Sequence, residues 1–150
     1  MSGNNGVVVP PSGGRHLKEP SGQVVSMKLF GRDTGQSVTL FEQSVPAGSK
    51  NSWFHLHRDS DEIAWVLEGE FTFRIGEETT TGGPGTCVFM PRKVPHAWKN
   101  SGSTPGRVVF LYTPAGAGGF VETMFDAPES SELEARLEKY GWEVLGPSPL

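Results

Sequence analysis

Three of the four histidines and one glutamate fall into two compact clusters of metal-binding residue types. The first cluster contains His55, His57 and Glu62. Residues two apart in a strand point to the same face, so His55 and His57 would present two imidazoles side by side. The polar residues 58–61 suit a bend, after which the carboxylate of Glu62 can return to the same point. We therefore expect these three side chains to share one metal ion.

The second cluster supplies His96 as a fourth ligand. Pro91 and Pro95 flank the preceding turn, and their restricted φ helps to place the imidazole without a loss of conformational entropy when a metal binds. A histidine pair alone would be more typical of surface residues, or of core residues satisfied by hydrogen bonds, but four ligand-type residues in two clusters are more specific. Three imidazoles and one carboxylate leave one or two positions open on a five- or six-coordinate ion, as a catalytic site requires. The predicted metal ligands are His55, His57, Glu62 and His96.

Strand parity predicts which side chains line the cavity around this ion. Trp53 shares the face of the histidine pair, Ala64 and Val66 share that of the glutamate, and Trp98 shares that of the last histidine. Phe120, from the apolar segment after the last strand, completes the predicted substrate pocket. Two tryptophans beside a metal suit a flat or aromatic substrate, but they are equally typical of an ordinary barrel core.

Short strands must position these residues, because the chain has 20 glycines and 12 prolines but only one convincing helical pattern. The strand over Glu70–Ile75 alternates most clearly, and it places Phe71, Phe73 and Ile75 in the core. Eight such strands predict a closed or sandwiched all-β barrel. They span Val24–Phe30, Ser37–Val45, Ser52–His57, Glu62–Leu67, Glu70–Ile75, Thr86–Met90, His96–Asn100 and Arg107–Thr113.

The two clusters resemble the paired motifs of the cupin superfamily. The first cluster has the His-x-His pair, four residues, the glutamate, six residues and Gly69, with one extra residue between Gly48 and His55. The second has the leading glycine, the proline, and the histidine followed after three residues by Asn100, but Lys93 stands where a glycine is usual. The single motif pair resembles that of small one-barrel cupins, similar to quercetin dioxygenase-like proteins.

The resemblance covers residues 24–113 and implies an all-β cupin barrel, a jelly-roll or double-stranded β-helix, with a short C-terminal α-helix. It implies that the four ligands hold one divalent ion of iron, manganese, nickel, cobalt, copper or zinc. It favours a dioxygenase-like oxidoreductase in which Glu62 is also catalytic, since it accepts a proton from a substrate hydroxyl. A redox-neutral cyclase, isomerase or lyase, and a non-catalytic module that binds a small molecule, are the alternatives.

Three segments organise the chain: a flexible N-terminal arm over 1–22, the barrel over 23–126, and a C-terminal helix and tail over 127–150. In the arm, Val7–Val9 is β-prone and either pairs with a sheet edge or is disordered. A capping box over Ser131–Glu134, followed by apolar residues at helical spacing, predicts the C-terminal helix. Residues 114–125 are interpreted either as a movable cover over the metal or as a linker anchored by its aromatic side chains.

Composition excludes several other classes of protein. Charged residues make up 20% of the chain, and the net charge of -4 provides no basic stripe for nucleic acid. No apolar run approaches the roughly 20 residues that span a bilayer. The one cysteine, Cys87, excludes an intrachain disulfide and is expected to be a buried filler. We therefore expect a cytoplasmic protein that binds a small-molecule substrate and neither nucleic acid nor membrane. Exposed strand edges and the Val7–Val9 arm favour a homodimer.

Overall fold

Two antiparallel sheets form the protein in a computed structural model that describes residues 5–126 and 132–150. Within those residues, eleven strands run along the chain as β1 to β11. Their bounds are Arg15–Lys18, Val24–Leu29, Thr39–Val45, Trp53–His57, Asp61–Glu68, Phe71–Ile75, Glu78–Gly82, Cys87–Met90, His96–Asn100, Gly106–Thr113 and Trp142–Pro147. The described residues also form the helices α1 (Gly118–Asp126) and α2 (Leu133–Lys139), and 3-10 turns cover Gly31–Thr34 and Ala115–Ala117.

The hydrophobic core lies between the two sheets. The six-stranded sheet has the order β1-β2-β3-β10-β5-β8, and the five-stranded sheet has the order β11-β4-β9-β6-β7. Inward residues alternate with outward ones, so Phe71 and Phe73 of β6 face Val108 and Phe110 of β10 across one continuous core. This arrangement confirms the predicted all-β jelly-roll barrel.

All eight predicted strands are confirmed, each bound lying within two residues of its prediction. The sequence did not predict β1, β7 or β11. Strand β7 consists of polar and glycine residues that are mostly exposed, so no apolar alternation marks it. Strands β1 and β11 lie in the segments interpreted as an arm and a tail, and both complete sheets by pairing with β2 and β4. The sheets therefore extend beyond residues 23–126, where the sequence placed the barrel.

The helix α2 confirms the helix predicted near the end of the chain, although Ser131 of the predicted capping box lies outside the described residues. Leu133, Leu137 and Tyr140 pack against the core but are only partly buried. The helix α1 and the 3-10 turn before it occupy the segment interpreted as a cover or an anchored linker. Phe120 of α1 is buried in the core.

Cys87 is exposed, which corrects the expectation of a buried filler. It lies on β8, the edge strand of the six-stranded sheet, and Val88 and Met90 rather than Cys87 and Phe89 face inward. All four residues of this strand are apolar, so hydrophobicity alone could not predict which of them face the core. Among the described residues, neither helix combines the length and the apolar character needed to cross a membrane.

The outer face of the six-stranded sheet carries an apolar row that crosses five strands in register. The row consists of Leu29, Leu40, Leu111, Ile63 and Phe89. The arm residues Val7 and Val9 lie beside its first two members, and Val8 is almost fully exposed. On the same face, Arg107 and Lys28 balance the charges of Glu42 and Glu68, so two copies could meet there without like-charge repulsion.

The homodimer expected from the sequence stays a prediction, and we expect it to use this row. The Phe89→Glu variant should be monomeric by light scattering while the parent protein is dimeric, because the new charges would be buried in the interface. Leu145→Glu on β11 is a matched control, since Leu145 and Phe89 are 55% and 56% exposed. A monomeric parent, or a dimeric Phe89→Glu variant, would contradict this assignment. Removing residues 1–12, which spares β1, tests the contribution of the arm.

Candidate metal centre

The four predicted ligands meet in the interior of the barrel. His55 and His57 point inward from β4, His96 begins β9 opposite His55, and Glu62 comes from β5 of the other sheet. Their exposures are only 5%, 1%, 1% and 3%, in that order. One ligand atom of each residue lies within 4.8 Å of all the others. The structure therefore brings together the complete ligand set that the sequence predicted.

Backbone carbonyl groups set the tautomers of two rings. The Nδ1 atoms of His55 and His96 lie 3.0 Å from the Trp53 oxygen and 3.2 Å from the Val94 oxygen. A carbonyl oxygen only accepts, so both Nδ1 atoms carry the proton and donate it. The Nε2 atoms are then free to coordinate a metal, as in metal-binding histidines whose other nitrogen is held by a hydrogen bond.

The spacing of the donor atoms fits a divalent ion. The Oε1 atom of Glu62 lies 3.1 Å from Nε2 of His57 and 3.0 Å from Nε2 of His96. Metal bonds of about 2.0–2.2 Å at right angles would separate two ligand atoms by about 3 Å. A neutral His96 in its Nδ1–H tautomer also points a lone pair at the carboxylate, and a cation at the centre would stabilise that contact. Nitrogen and oxygen donors of this kind suit first-row divalent metals.

The ionisation states are also those that a metal needs. Burial, together with the neighbouring imidazoles, lowers the pKa of His55 to about 3. Burial also lowers the pKa of His57. Burial acts to raise the pKa of Glu62, but His96 and the hydrogen bond with His57 outweigh it and hold that pKa below its ordinary range. Around neutral pH, His55 and His57 are therefore neutral and the carboxylate is charged, so the cluster can bind a cation without first losing these protons.

Two aromatic residues that the sequence analysis missed enclose this cluster. The indole of Trp142 is parallel to the His55 ring at a centroid distance of 4.7 Å and meets His57 edge-on at 4.4 Å. Tyr112 also contacts His57 edge-on, at a centroid distance of 5.1 Å. The Nδ1 atom of His57 is buried and has no hydrogen-bond partner among the described residues. Packing against Trp142 and Tyr112, rather than a hydrogen bond from Nδ1, therefore orients the His57 ring.

One of these two residues was accessible to sequence reasoning. Tyr112 alternates with Val108 and Phe110 on β10 and pairs in register with Glu62, so the parity used for the other strands would have placed it inside. Trp142 opens β11, which was not recognised as a strand. No local pattern in the sequence relates it to the histidines of β4.

The predicted pocket residues occupy different places around the centre. Ala64 and Val66 are fully buried on β5, in the face that carries the glutamate. Trp98 packs against Phe71 and Phe110. These positions agree with the predicted inward orientation.

Trp53 and Phe120 lie on the side of the barrel that carries Trp142. Their ring centroids are 6.3 Å apart, and Phe120 also contacts Trp142 at 4.6 Å. Among the described aromatic residues, only Trp142 and Tyr112 make ring contacts with the imidazoles. Binding of substrate by all five predicted pocket residues stays a prediction.

Comparisons with known proteins agree with the fold and with the motif pair. Residues 41–112 match the family described as "Cupin domain". The protein KdgF of Halomonas sp. has a similar structure, with a TM-score of 0.63 at 15% identity, over 73% of this chain and 94% of that one. At that identity the likeness concerns the fold alone.

Two curated proteins are similar in sequence. An uncharacterized protein of Methanocaldococcus jannaschii is 33% identical over 80 residues, which cover 53% of this chain and 63% of that protein. The tetracenomycin polyketide synthase protein TcmJ of Streptomyces glaucescens is 32% identical over 60 residues, which cover 40% of each. The matched part is thus less than two thirds of the length of either relative.

We expect the His96→Ala variant to lose most of its bound metal while the barrel still folds, because an open site contributes less to folding than a closed structural one. The measurement is metal content by mass spectrometry, together with thermal unfolding. The control is His16→Ala, since His16 is exposed and lies on β1 away from the cluster. Equal metal content in His96→Ala and the parent would contradict the assignment.

The metal-free protein should lose stability as the pH falls below about 6.5. The unfolded state then binds a proton at His55, whereas the folded state does so only near a pKa of about 3. Each such proton lowers the free energy of unfolding by about 1.4 kcal/mol per pH unit. Glu62 acts in the same direction at lower pH, since its folded pKa is also lowered.

Denaturant titrations between pH 7 and pH 5 measure this effect. The slope of stability against pH should be smaller in His55→Gln than in the parent. Glutamine lacks the imidazole that binds a proton in the unfolded state but not in the folded state over this pH range. Equal slopes for His55→Gln and the parent would show that His55 does not have the lowered pKa.

Proposed function

We propose that this chain is a metal-dependent enzyme that acts on a small organic molecule. The match over residues 41–112 and the shared barrel identify the chain as a cupin. The observation that carries the proposal is the buried cluster of three imidazoles and one charged carboxylate, with ligand atoms within 4.8 Å of one another. A four-coordinate structural site would be filled by these ligands, whereas a five- or six-coordinate ion held by them would keep one or two positions for a substrate.

His55, His57, Glu62 and His96 would hold the ion. A divalent ion there would act as a Lewis acid, and iron, manganese, nickel, cobalt or copper would also supply redox chemistry. The lowered pKa of Glu62 favours its role as a ligand over its role as a base. Glu62 can accept a substrate proton only if its pKa rises when a hydroxyl group replaces one of its imidazole contacts.

The surroundings of the cluster favour a flat substrate. Trp142 already presents a planar ring parallel to His55, which shows that the face of this imidazole accommodates an aromatic system. Tyr112, Phe120 and Trp53 extend the aromatic wall and would exclude water from a bound complex. An enol or phenol combines a planar body with an oxygen that can bind a metal.

A dioxygenase-like oxidation of such a molecule is our first candidate, because the motif pair resembles that of quercetin dioxygenase-like cupins. A redox-neutral cyclisation, isomerisation or elimination is the second. The observation that favours it is the 32% identity with a protein of a polyketide synthase, because polyketide chains carry carbonyl groups that a Lewis acid can activate. Cytoplasmic location stays a prediction for either reaction.

Oxygen uptake separates the two candidates. The protein would be purified without oxygen, its metal identified, and its reaction with flavonols, catechols and β-diketones followed with an oxygen electrode and by product mass. A redox-active metal with substrate-dependent oxygen uptake supports the first candidate, and an isomeric or dehydrated product without uptake supports the second. Ligand binding without any product would instead support the non-catalytic module and contradict an enzyme.

Glu62→Gln should bind metal more weakly and lose turnover by about 10²-fold or more, because the amide is neutral and cannot accept a proton. To separate the loss of metal from the loss of catalysis, metal content would be measured first and turnover expressed per bound metal. Glu77→Gln is the control, since Glu77 is exposed in the turn between β6 and β7. Full turnover per metal in Glu62→Gln would assign Glu62 the role of a ligand or a bystander, not of a base.

A further inference from the structure

We propose that Trp142 is a gate that closes the metal centre, and that the contact between Gly119 of α1 and Tyr140 after α2 holds this gate shut. The gate rests on the proposed metal-dependent function, because it controls how the bound ion and its substrate exchange with solvent. It concerns residues that neither the motif pair nor the family match includes, since all three lie beyond residue 112.

The metal centre is sealed in the structure. Each of the four ligands is at least 95% buried. A substrate molecule therefore cannot reach the ligand atoms unless the surrounding side chains move. Trp142 covers His55 face to face and His57 edge-on. Movement of this single indole would uncover two of the four ligands at once.

The indole is held by directional contacts that can be broken individually. Its Nε1 atom donates a hydrogen bond of 2.9 Å to the Ala117 oxygen. The Ala117 nitrogen in turn donates to Oγ of Ser60, at 3.0 Å, two residues before Glu62. Phe120 packs against the indole at 4.6 Å. The closed position therefore depends on the turn before α1 and on α1 itself.

A cleft lies between α1 and α2. Its volume is about 440 Å³, and its lining includes Gly119, Thr123, Lys139 and Tyr140 but none of the four metal ligands. Tyr140 is only two residues before Trp142, and Gly141 between them has a positive φ of 77°, a conformation that side chains other than glycine rarely adopt. The cleft gives the Tyr140 side chain space to move, and Trp142 is not part of its lining.

The contacts on the outer side of this junction are polar. Arg136 of α2 donates to Oγ1 of Thr123 on α1. Arg58 forms ion pairs with Glu138 and Glu143 at 3.0 and 3.5 Å, and both carboxylates are mostly exposed. Contacts of this kind are readily replaced by water. They add to the backbone pairing of β11 with β4, but they do not by themselves fix α2 and β11 against the barrel.

Gly119 is the point at which the junction can be opened without changing the gate or the ligands. A Cβ atom at this position would overlap the ring of Tyr140. Alanine is otherwise the better helix former, so Gly119→Ala should stabilise α1 while it displaces the Tyr140–Trp142 segment. Gly146→Ala on β11 is the matched control, because a Cβ atom there meets nothing within 4 Å.

The first measurement is the rate at which zinc leaves the zinc-loaded protein for a chromogenic chelator. We expect Gly119→Ala and Trp142→Ala to release zinc at least about tenfold faster than the parent, as local opening becomes more frequent. Trp142→Phe, which keeps a ring over His55 but cannot donate to Ala117, should fall between Trp142→Ala and the parent. Gly146→Ala should match the parent.

The second measurement is hydrogen exchange of the metal-free protein, which does not depend on metal binding. In Gly119→Ala, the amides of β11 should exchange faster than in the parent, while those of β9 stay unchanged. Unchanged exchange in β11, or equally faster exchange throughout the barrel, would overturn the gate. So would zinc release from both Gly119→Ala and Trp142→Ala at the rate of the parent. A parent that binds no zinc or other divalent metal would refute the proposed function, and hydrogen exchange would still decide whether the segment opens.

Discussion

The burial of the Glu62 carboxylate among three imidazoles is the interaction on which the rest of the structure depends. Transfer of a charged carboxylate from water into a protein interior costs on the order of several kcal/mol. The hydrogen bond that Oε1 accepts from Nε2 of His57 offsets part of that cost, and a bound cation would offset more. A barrel that holds this charge at its centre must keep every ligand in place, because an unpaired carboxylate there would be strongly destabilising.

Strand pairing keeps the ligands in place from both sheets. His55 pairs with His96 between β4 and β9, and Glu62 pairs with Tyr112 between β5 and β10. A slip of one residue in either pairing would turn a ligand to the outside of the barrel. The apolar side chains that alternate with the ligands along these strands therefore fix the register and, through it, the geometry of the site. Trp142 and Tyr112 then orient His57, whose second nitrogen has no partner among the described residues.

The sequence could predict features that depend on local periodicity. Parity placed His55, His57 and the inward residues of β6, and the resemblance to cupin motifs agreed with Glu62 and His96 as their partners. Features that depend on distant pairing were missed. Strand β11 has little apolar alternation and gains its stability from pairing with β4, so neither the strand nor Trp142 at its start could be found. The exposure of Cys87 was missed for a related reason, because β8 is an edge strand and nothing in its composition shows which of its faces is covered.

The enclosed centre accounts for both the proposed chemistry and the proposed gate, since a dry aromatic site strengthens interactions with a bound ion but also blocks access to it. The most direct test of the central claim is a crystal structure of the metal-loaded protein with anomalous diffraction recorded at the absorption edge of the bound metal. We expect one anomalous peak per chain, bonded at about 2.0–2.3 Å to three histidine Nε2 atoms and one oxygen of Glu62. A peak bonded to other residues, or no peak at the cluster in protein soaked with iron, nickel or zinc, would contradict it.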